Sequence, residues 1–507
     1  MADERATPLN QGVDKWLQIT DGGKLQTWNG VDSPTPIIGD DPLVTKTELD
    51  DKASLSGSFS NVKWYGAVGD GVADDTSFIQ MALDSTNSVL IPKGTYRITD
   101  TLLIPSGTRL IGQGIDSTII QQDFGTDTNK PIFINKNNAY GSAVDVGIYI
   151  EGIKAVGEGP DNPTSYGPPN NTAFKFKNVE KCQIENCYGT NVGAYAVAFN
   201  AAVDCIATNC YANHCGDDGF ECADSNQSDI PDDASISRRN KFNSCYSTNA
   251  QNSGFECDDG PKYIEFNNCI AFNNRTDGFT IHYHADTVPP QHITFNGCTS
   301  IGHVRNFRLD NNSTTTHPPG EGWNLYNCEI FNGNHGVQAH NLQHSKISNL
   351  SIYGCSGDGI TLRDGGRDIS IPDLMVRGVG RAALESPGNP SHLHVTNPDV
   401  YDTGRHGILL NGDDSSLKGG RISGVGQSAD LTFSCLTMNG NNQSVQGVTA
   451  RIGDLQNAAV RAIYNFGSNA LIIHNDVRDS WSSPIRNDGT MITDPVNQDD
   501  VANYNIV

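Results

Sequence analysis

One corner recurs three times along the chain: Gly216-Asp217-Asp218-Gly219-Phe220-Glu221-Cys222, then Ser253-Gly254-Phe255-Glu256-Cys257, then Asp277-Gly278-Phe279-Thr280-Ile281. Each copy is a polar turn, a glycine free to take a positive φ, and an aromatic residue opening an alternating strand. Aligned on that corner, Phe220, Phe255, Phe279, Phe307, Val337, Ile360 and Ile408 take a first inward position, with Ala382 between the last two. Cys222, Cys257, Ile281, Leu309, Ala339, Leu362 and Leu410 take the next, since strand side chains alternate with a period of two. The copies are spaced by ~22 to 35 residues, the range of solenoids, whose repeats bury their apolar sides only against one another. The expected fold is all-β, a parallel β-helix.

Composition agrees. At 507 residues the chain is too long for one ordinary compact core, and it is rich in Gly, Asn, Asp, Ser and Thr, which suit short strands joined by turns. A net charge of -24 excludes nucleic acid as a partner, because a polyanion gains nothing from a surface that repels it. No apolar run is long enough to insert in a membrane, and no secretory signal follows Met1-Ala2-Asp3-Glu4-Arg5. Asp far outnumbers Glu, which fits turns and solubility first and Ca²⁺ binding only where carboxylates cluster.

Most of the thirteen cysteines recur in one setting: Asn186-Cys187, Asn209-Cys210, Ser244-Cys245, Asn268-Cys269, Gly297-Cys298, Asn327-Cys328 and Gly354-Cys355. That regularity reads as an inward ladder of small side chains, not as a disulfide framework or a zinc site. Whether Cys222 and Cys257, at matching positions, are bridged is left open by the sequence.

Near the N-terminus, Val62-Lys63-Trp64-Tyr65-Gly66-Ala67-Val68-Gly69-Asp70-Gly71-Val72-Ala73-Asp74-Asp75-Thr76 leads into an apolar stripe of Phe78, Ile79, Ala82 and Leu83, a short helix for Asp74 or Asp75 to cap. Such a helix would cover the open edge of the first coil. This block resembles the N-terminal signature of the pectate-lyase-like superfamily of right-handed parallel β-helices, which includes many phage tailspikes. The resemblance implies a right-handed β-helix with a short N-terminal capping helix. It also implies a viral spike that contacts a host cell-surface polysaccharide and joins a virion tail or baseplate through its N-terminus. The chain then divides into a small attachment region at 1–42, a neck helix at 43–60, the β-helix at 61–490 and a tail or cap at 491–507. The polar helix pattern from Val44 to Ala53 is similar to phage tail-fibre elements and suits a three-chain neck, hence a homotrimer.

The register that fixes the core also fixes what faces out. A first outward column holds Glu221, Glu256, Thr280, Arg308, Gln338 and Thr361; a second holds Ala223, Asp258, His282, Asp310, His340 and Arg363. Strands ~4.8 Å apart set Glu221 beside Glu256, where two ionised carboxylates repel unless a proton or a cation intervenes. Candidate catalytic residues are therefore Glu221, Glu256, Asp258, His282 and Arg308. Candidate substrate contacts are Tyr283, His284, Asp310, Gln338, His340 and Arg363.

Three chemistries fit. Asp217-Asp218-Gly219-Phe220-Glu221 resembles the calcium motif of one pectate lyase family, which implies Ca²⁺ on Asp217, Asp218 and Glu221 and proton removal by a base. Ser253 departs from that family's acidic residue, and with no lysine matched the base falls to Arg308 or His282. A hydrolase needs two carboxyls: Glu221 and Asp258, ~8 Å apart, suit inversion, while Glu221 and Glu256 lie nearer the retaining spacing. A non-catalytic adhesin would use Tyr283, Trp323 and Tyr326 to stack on a glycan. His282 and His284, two apart on one strand, face the same side and could hold a transition metal. Spacing fixes no third ligand, which favours sugar contact or simple exposure.

Overall fold

The computed structural model describes residues 16–19, 25–28, 35–36 and 59–488, apart from 127–128, 140–141, 160–169, 224–235, 285–286, 312–318, 427–432, 452–460 and 478–484. The expected neck helix and the C-terminal tail lie outside the described residues.

The chain divides into two compact units, Met1–Ser58 and Phe59–Val507. In the first, Trp16–Ile19, Leu25–Trp28 and Thr35–Pro36 form a three-stranded antiparallel sheet. The second is a right-handed parallel β-helix. Three long parallel sheets of 15, 16 and 16 strands run its length, and each strand pairs with its counterpart one coil away.

Its core is a set of ladders. Phe220, Phe255, Phe279 and Phe307 are register partners, and their rings stack at centroid separations of 4.8, 4.9 and 4.8 Å. Val337 and Ile360 continue the column. Leu384, not Ala382, then takes the place between Ile360 and Ile408. The expected glycine role also needs correction. Gly219, Gly254 and Gly278 do not lie at positive φ; they are glycines because neighbouring coils come too close for a Cβ. One added at Gly219 would sit 2.7 Å from Gly254 O, and one at Gly254 would sit 2.7 Å from Gly278 O.

The left-handed conformation belongs instead to the residue before the ladder cysteines. Asn186, Asn209, Ser244, Asn268 and Asn327 have φ between 50° and 54°, and Gly297 has φ of 66°. One such residue turns the chain from one sheet to the next, which Asn and Gly do at least cost. The cysteine that follows fills a small inward space and donates its thiol to a carbonyl of the preceding coil: Cys245 Sγ to Ala207 O at 3.6 Å, Cys269 Sγ to Phe242 O at 3.3 Å, Cys298 Sγ to Phe266 O at 3.2 Å. Gly354-Cys355 sits at the next corner, after the strand Ser351–Tyr353. All thirteen cysteines are buried and none is in a disulfide, Cys222 and Cys257 included.

The N-terminal block folds as a 3-10 turn, Val62–Tyr65, and a helix, Thr76–Ser85, which buries Ile79, Ala82 and Leu83. Asp75 occupies the N-cap position but makes no side-chain cap. Fully buried, its carboxylate accepts from Val68 N at 2.6 Å and Gly69 N at 3.0 Å. It thereby ties down the glycine turn, while Asp74 Oδ1 takes Thr76 N at 3.1 Å.

Candidate active site on one sheet face

The strands Phe220–Ala223, Ser253–Asp258, Asp277–His282, Arg305–Asp310, His335–His340 and Ile360–Arg363 carry the candidate residues. The expected columns form: Glu221 pairs with Glu256, Glu256 with Thr280, Thr280 with Arg308, and Arg308 with Gln338. Asp258 pairs with His282, Asp310 with His340, and His340 with Arg363. The first column is more enclosed than an open strand face, for Glu221 and Glu256 are each 8% exposed and Thr280 not at all.

Enclosure sets the electrostatics. Burial, then the charges of Glu256 and Glu221, pushes the Asp217 carboxyl up to about 7. Burial also holds Glu256 at about 7, against the opposing effect of its contact with Asp218, and raises Asp258 to about 8. Asp218, fully buried, is driven well above the carboxylate range by burial and by Glu256. Its Oδ1 accepts from Ser253 N at 2.6 Å, and no N–H or hydroxyl reaches its Oδ2. A proton shared with Glu256 satisfies both groups. Asp218 thus lies in the wall behind the face, fully buried. Tyr195 closes the cluster, its hydroxyl donating to Asp217 Oδ2 at 3.3 Å.

Extending the first outward column backwards uncovers a residue the corner motif did not flag. Lys175 pairs with Ala198, and Ala198 with Glu221. The small Ala198 side chain leaves Lys175 and Glu221 in electrostatic contact: burial lowers the Lys175 ammonium from its ordinary value and the Glu221 charge opposes that. Burial likewise raises Glu221, offset by Lys175 and by Asn200, which donates to Glu221 Oε2 at 3.0 Å. The signal lay in the alternation Phe174-Lys175-Phe176-Lys177, outside the repeated corner.

Several assignments change. Tyr283 is 1% exposed and donates to Asn311 Oδ1 at 3.1 Å, and Trp323 is fully buried and donates to Pro290 O at 2.9 Å. Neither is a glycan platform. Arg308 is bound to Asp310 at 2.6 Å and lies 3.9 Å from Asp277; a guanidinium, always protonated, cannot act as the base. Asp310 is taken up by that ion pair, and His340 meets Asp364 at 2.5 Å. Gln338 is nearly covered, at 9% exposure. Arg363 lines a shallow depression further along the face with Thr361, Asp364, Arg381 and Glu385. His282 and His284 both lie against Asp258.

Fold and face together define a right-handed parallel β-helix with a polar, acid-rich sheet face, and the chain is similar to pectate-lyase-like proteins and to phage appendage proteins. The family model described as rhamnogalacturonase A/epimerase, pectate lyase-like, matches residues 59–269. A pre-neck appendage protein of Bacillus phage B103 is 23% identical over 76% of this chain and 49% of its own length, and its phage phi29 counterpart is 23% identical over 77% and 50%. The chain therefore spans about half the length of these relatives. The crystal structure of the pre-mature phi29 gene product 12 superposes with a TM-score of 0.56 at 17% identity, over 87% of this chain and 58% of that one. An Azotobacter vinelandii alginate lyase is 30% identical over 32% of this chain and 20% of its own.

Proposed function

We propose that the chain is the β-helical body of a phage spike that binds a host cell-surface polysaccharide and cleaves it. The observation that carries this reading is the convergence of Asp217, Glu221, Glu256 and Asp258 on neighbouring coils. Burial holds Asp217 and Glu256 at about 7 and Asp258 at about 8. Protonated and ionised carboxyls then coexist at neutral pH, as cleavage of a glycosidic bond by paired carboxyls requires. Glu256 is the general acid that protonates the leaving oxygen. Glu221, braced by Lys175 and Asn200, is the carboxylate that attacks or stabilises the opposite face of the sugar. Their adjacent strands, ~4.8 Å apart, favour the retaining geometry. The two guanidinium groups of Arg363 and Arg381 in the depression downstream suit an acidic group on the polymer.

Asp217 and Glu221, in electrostatic contact with each other, and the Asn200 amide beside Glu221 offer the oxygen donors that would hold Ca²⁺. The ion would supply charge compensation to the cluster. Attachment to a virion through residues 1–42 and trimerisation through the neck complete the proposal, supported by the phage appendage relatives and the helix pattern after Val44.

Lys175 favours a second reading, β-elimination on a uronate, because a lysine with a depressed pKa beside a carboxylate is a competent base. Products decide between them. The full chain is incubated with host-surface polysaccharide, with and without EDTA. New reducing ends without ultraviolet absorbance support hydrolysis, and unsaturated ends support elimination. Binding with no shortening of the polymer would overturn both and leave an adhesin.

A further inference from the structure

We infer that Asp258, His282 and His284 form a binding site for a divalent transition-metal ion, distinct from the all-oxygen group beside it. The sequence supplies two imidazoles at i and i+2 of one strand edge, and the fold supplies the third ligand that spacing alone does not. Asp258 is the register partner of His282 on the preceding coil. His282 Nδ1 lies 3.3 Å from Asp258 Oδ1, and His284 Nδ1 lies 3.6 Å from Asp258 Oδ2. One ligand atom from each of the three residues falls within 4.8 Å of the other two. Ligands held ~2.1 Å from a tetrahedral ion stand ~3.4 Å apart, so both contacts have the separation of atoms sharing one ion.

Two further observations separate this group from an ordinary pair of surface histidines. Asp258 Oδ1 is buried and receives no hydrogen bond despite the nearby His282 ring, which leaves a lone pair unspent. Asp259, 4% exposed, fixes the second imidazole: its Oδ1 accepts from His284 N at 2.8 Å and Thr287 Oγ1 at 2.5 Å, and its Oδ2 lies 3.0 Å from His284 Nδ1. Asp259 therefore holds the His284 backbone in place beside Asp258, while its Oδ2 contacts the same Nδ1 that would ligate and would yield that contact to the ion. Two nitrogens and a carboxylate select Zn²⁺, Co²⁺ or a similar ion over Ca²⁺, which prefers oxygen alone. The His284 side chain is 65% exposed, so the site opens to solvent on the same face as Glu256 and keeps a coordination position for water or a sugar hydroxyl.

The inference stands apart from cleavage, because its readout is binding. The full chain, untagged and stripped with EDTA, is titrated with Co²⁺ by visible absorption and with Zn²⁺ by calorimetry near pH 7.5. One ion per chain is expected, with the intense visible bands of tetrahedral Co²⁺ and no displacement by excess Ca²⁺. His282→Ala and His284→Ala should each weaken binding by at least ~100-fold, and Asp259→Asn by ~10-fold. Circular dichroism of the stripped variants should match that of the parent, and the exposed His284→Ala is the variant least able to perturb the fold. Absence of saturable Co²⁺ binding overturns the site. So does binding unchanged in both histidine variants, or ready displacement by Ca²⁺.

Discussion

Glu221 and Glu256 are register partners on adjacent strands, both nearly covered, and their surroundings differ: Glu221 faces Lys175 and Asn200, whereas Glu256 faces Asp218 and Asp258. One carboxyl is therefore supplied with positive charge and donors, the other with more acid. That asymmetry divides the roles, and it predicts how substitutions will act. Glu256→Gln and Glu221→Gln should each lower depolymerisation by ~10²-fold or more while leaving polymer binding in place. Lys175→Met should shift the pH–rate profile rather than abolish activity, because it removes the charge that opposes the upward shift burial imposes on Glu221. Cleavage at the parental rate by the Glu221→Gln/Glu256→Gln double variant would sink the site.

The same cluster makes stability depend on pH in a stated direction. In the unfolded chain Asp and Glu titrate near ~4. In the fold Asp217 and Glu256 lie at about 7 and Asp258 at about 8. The folded state binds the extra protons, so this contribution is fully present below pH ~4 and is lost as pH rises through 7 and 8. The melting temperature should fall by roughly a few degrees between pH 5 and 8.5. Saturating Ca²⁺ should recover part of the loss at pH 8.5, and Glu256→Gln should flatten the slope. A parental slope indistinguishable from that of Glu256→Gln would show that these carboxyls are not held protonated.

The solenoid was readable because its inward positions repeat: Phe220, Phe255, Phe279 and Phe307 stand in one column whichever way the copies are aligned. The outward columns followed from the same period. At Tyr283 aromatic character misleads: the alternation that turns His282 outward turns Tyr283 inward, into the core rather than toward a sugar. Lys175 and Asp259 escaped for a different reason. Lys175 reaches Glu221 across an intervening strand that carries only Ala198, and Asp259 acts from a residue at φ 54° just past a strand end. Both depend on how coils stack in space, which no repeat motif within one coil encodes. Burial of the first outward column, and with it the raised carboxyls, likewise comes from packing rather than from spacing.

Thirteen buried free thiols make a direct prediction about redox behaviour. Burial raises Cys187, Cys215 and Cys355 to about 12, whereas at Cys245 and Cys298 burial is outweighed by hydrogen bonds from neighbouring ladder cysteines, which lower both; what protects all thirteen is that each is shut away from a reagent in solution. A thiol reagent should modify almost none of the thirteen in the native protein and all of them after denaturation, and reductant should leave the melting temperature unchanged. Fewer than thirteen reactive thiols in the unreduced denatured chain would reveal a bridge and contradict the ladder.

The last prediction concerns how the ladders hold the site. Phe279 stacks on Phe255 and Phe307 and meets Phe266 and Phe295 edge-on, so it touches rings on both neighbouring coils. Phe279→Ala would remove a buried ring and leave a cavity between coils, at a cost of about 3–5 kcal/mol. In a solenoid each repeat leans only on its neighbours, so the loss should be felt locally before it is felt globally. Amide exchange should rise first in Ser253–Asp258, Asp277–His282 and Arg305–Asp310, the strands that carry Glu256, His282 and Arg308. Exchange in Ile408–Leu410, several coils away, should change little. Depolymerisation should fall with the local opening and recover in Phe279→Leu, which restores most of the volume without the ring. Equal loosening along the whole chain would show that the β-helix unfolds as one cooperative body, and the neighbour-by-neighbour account of its stability would then fail.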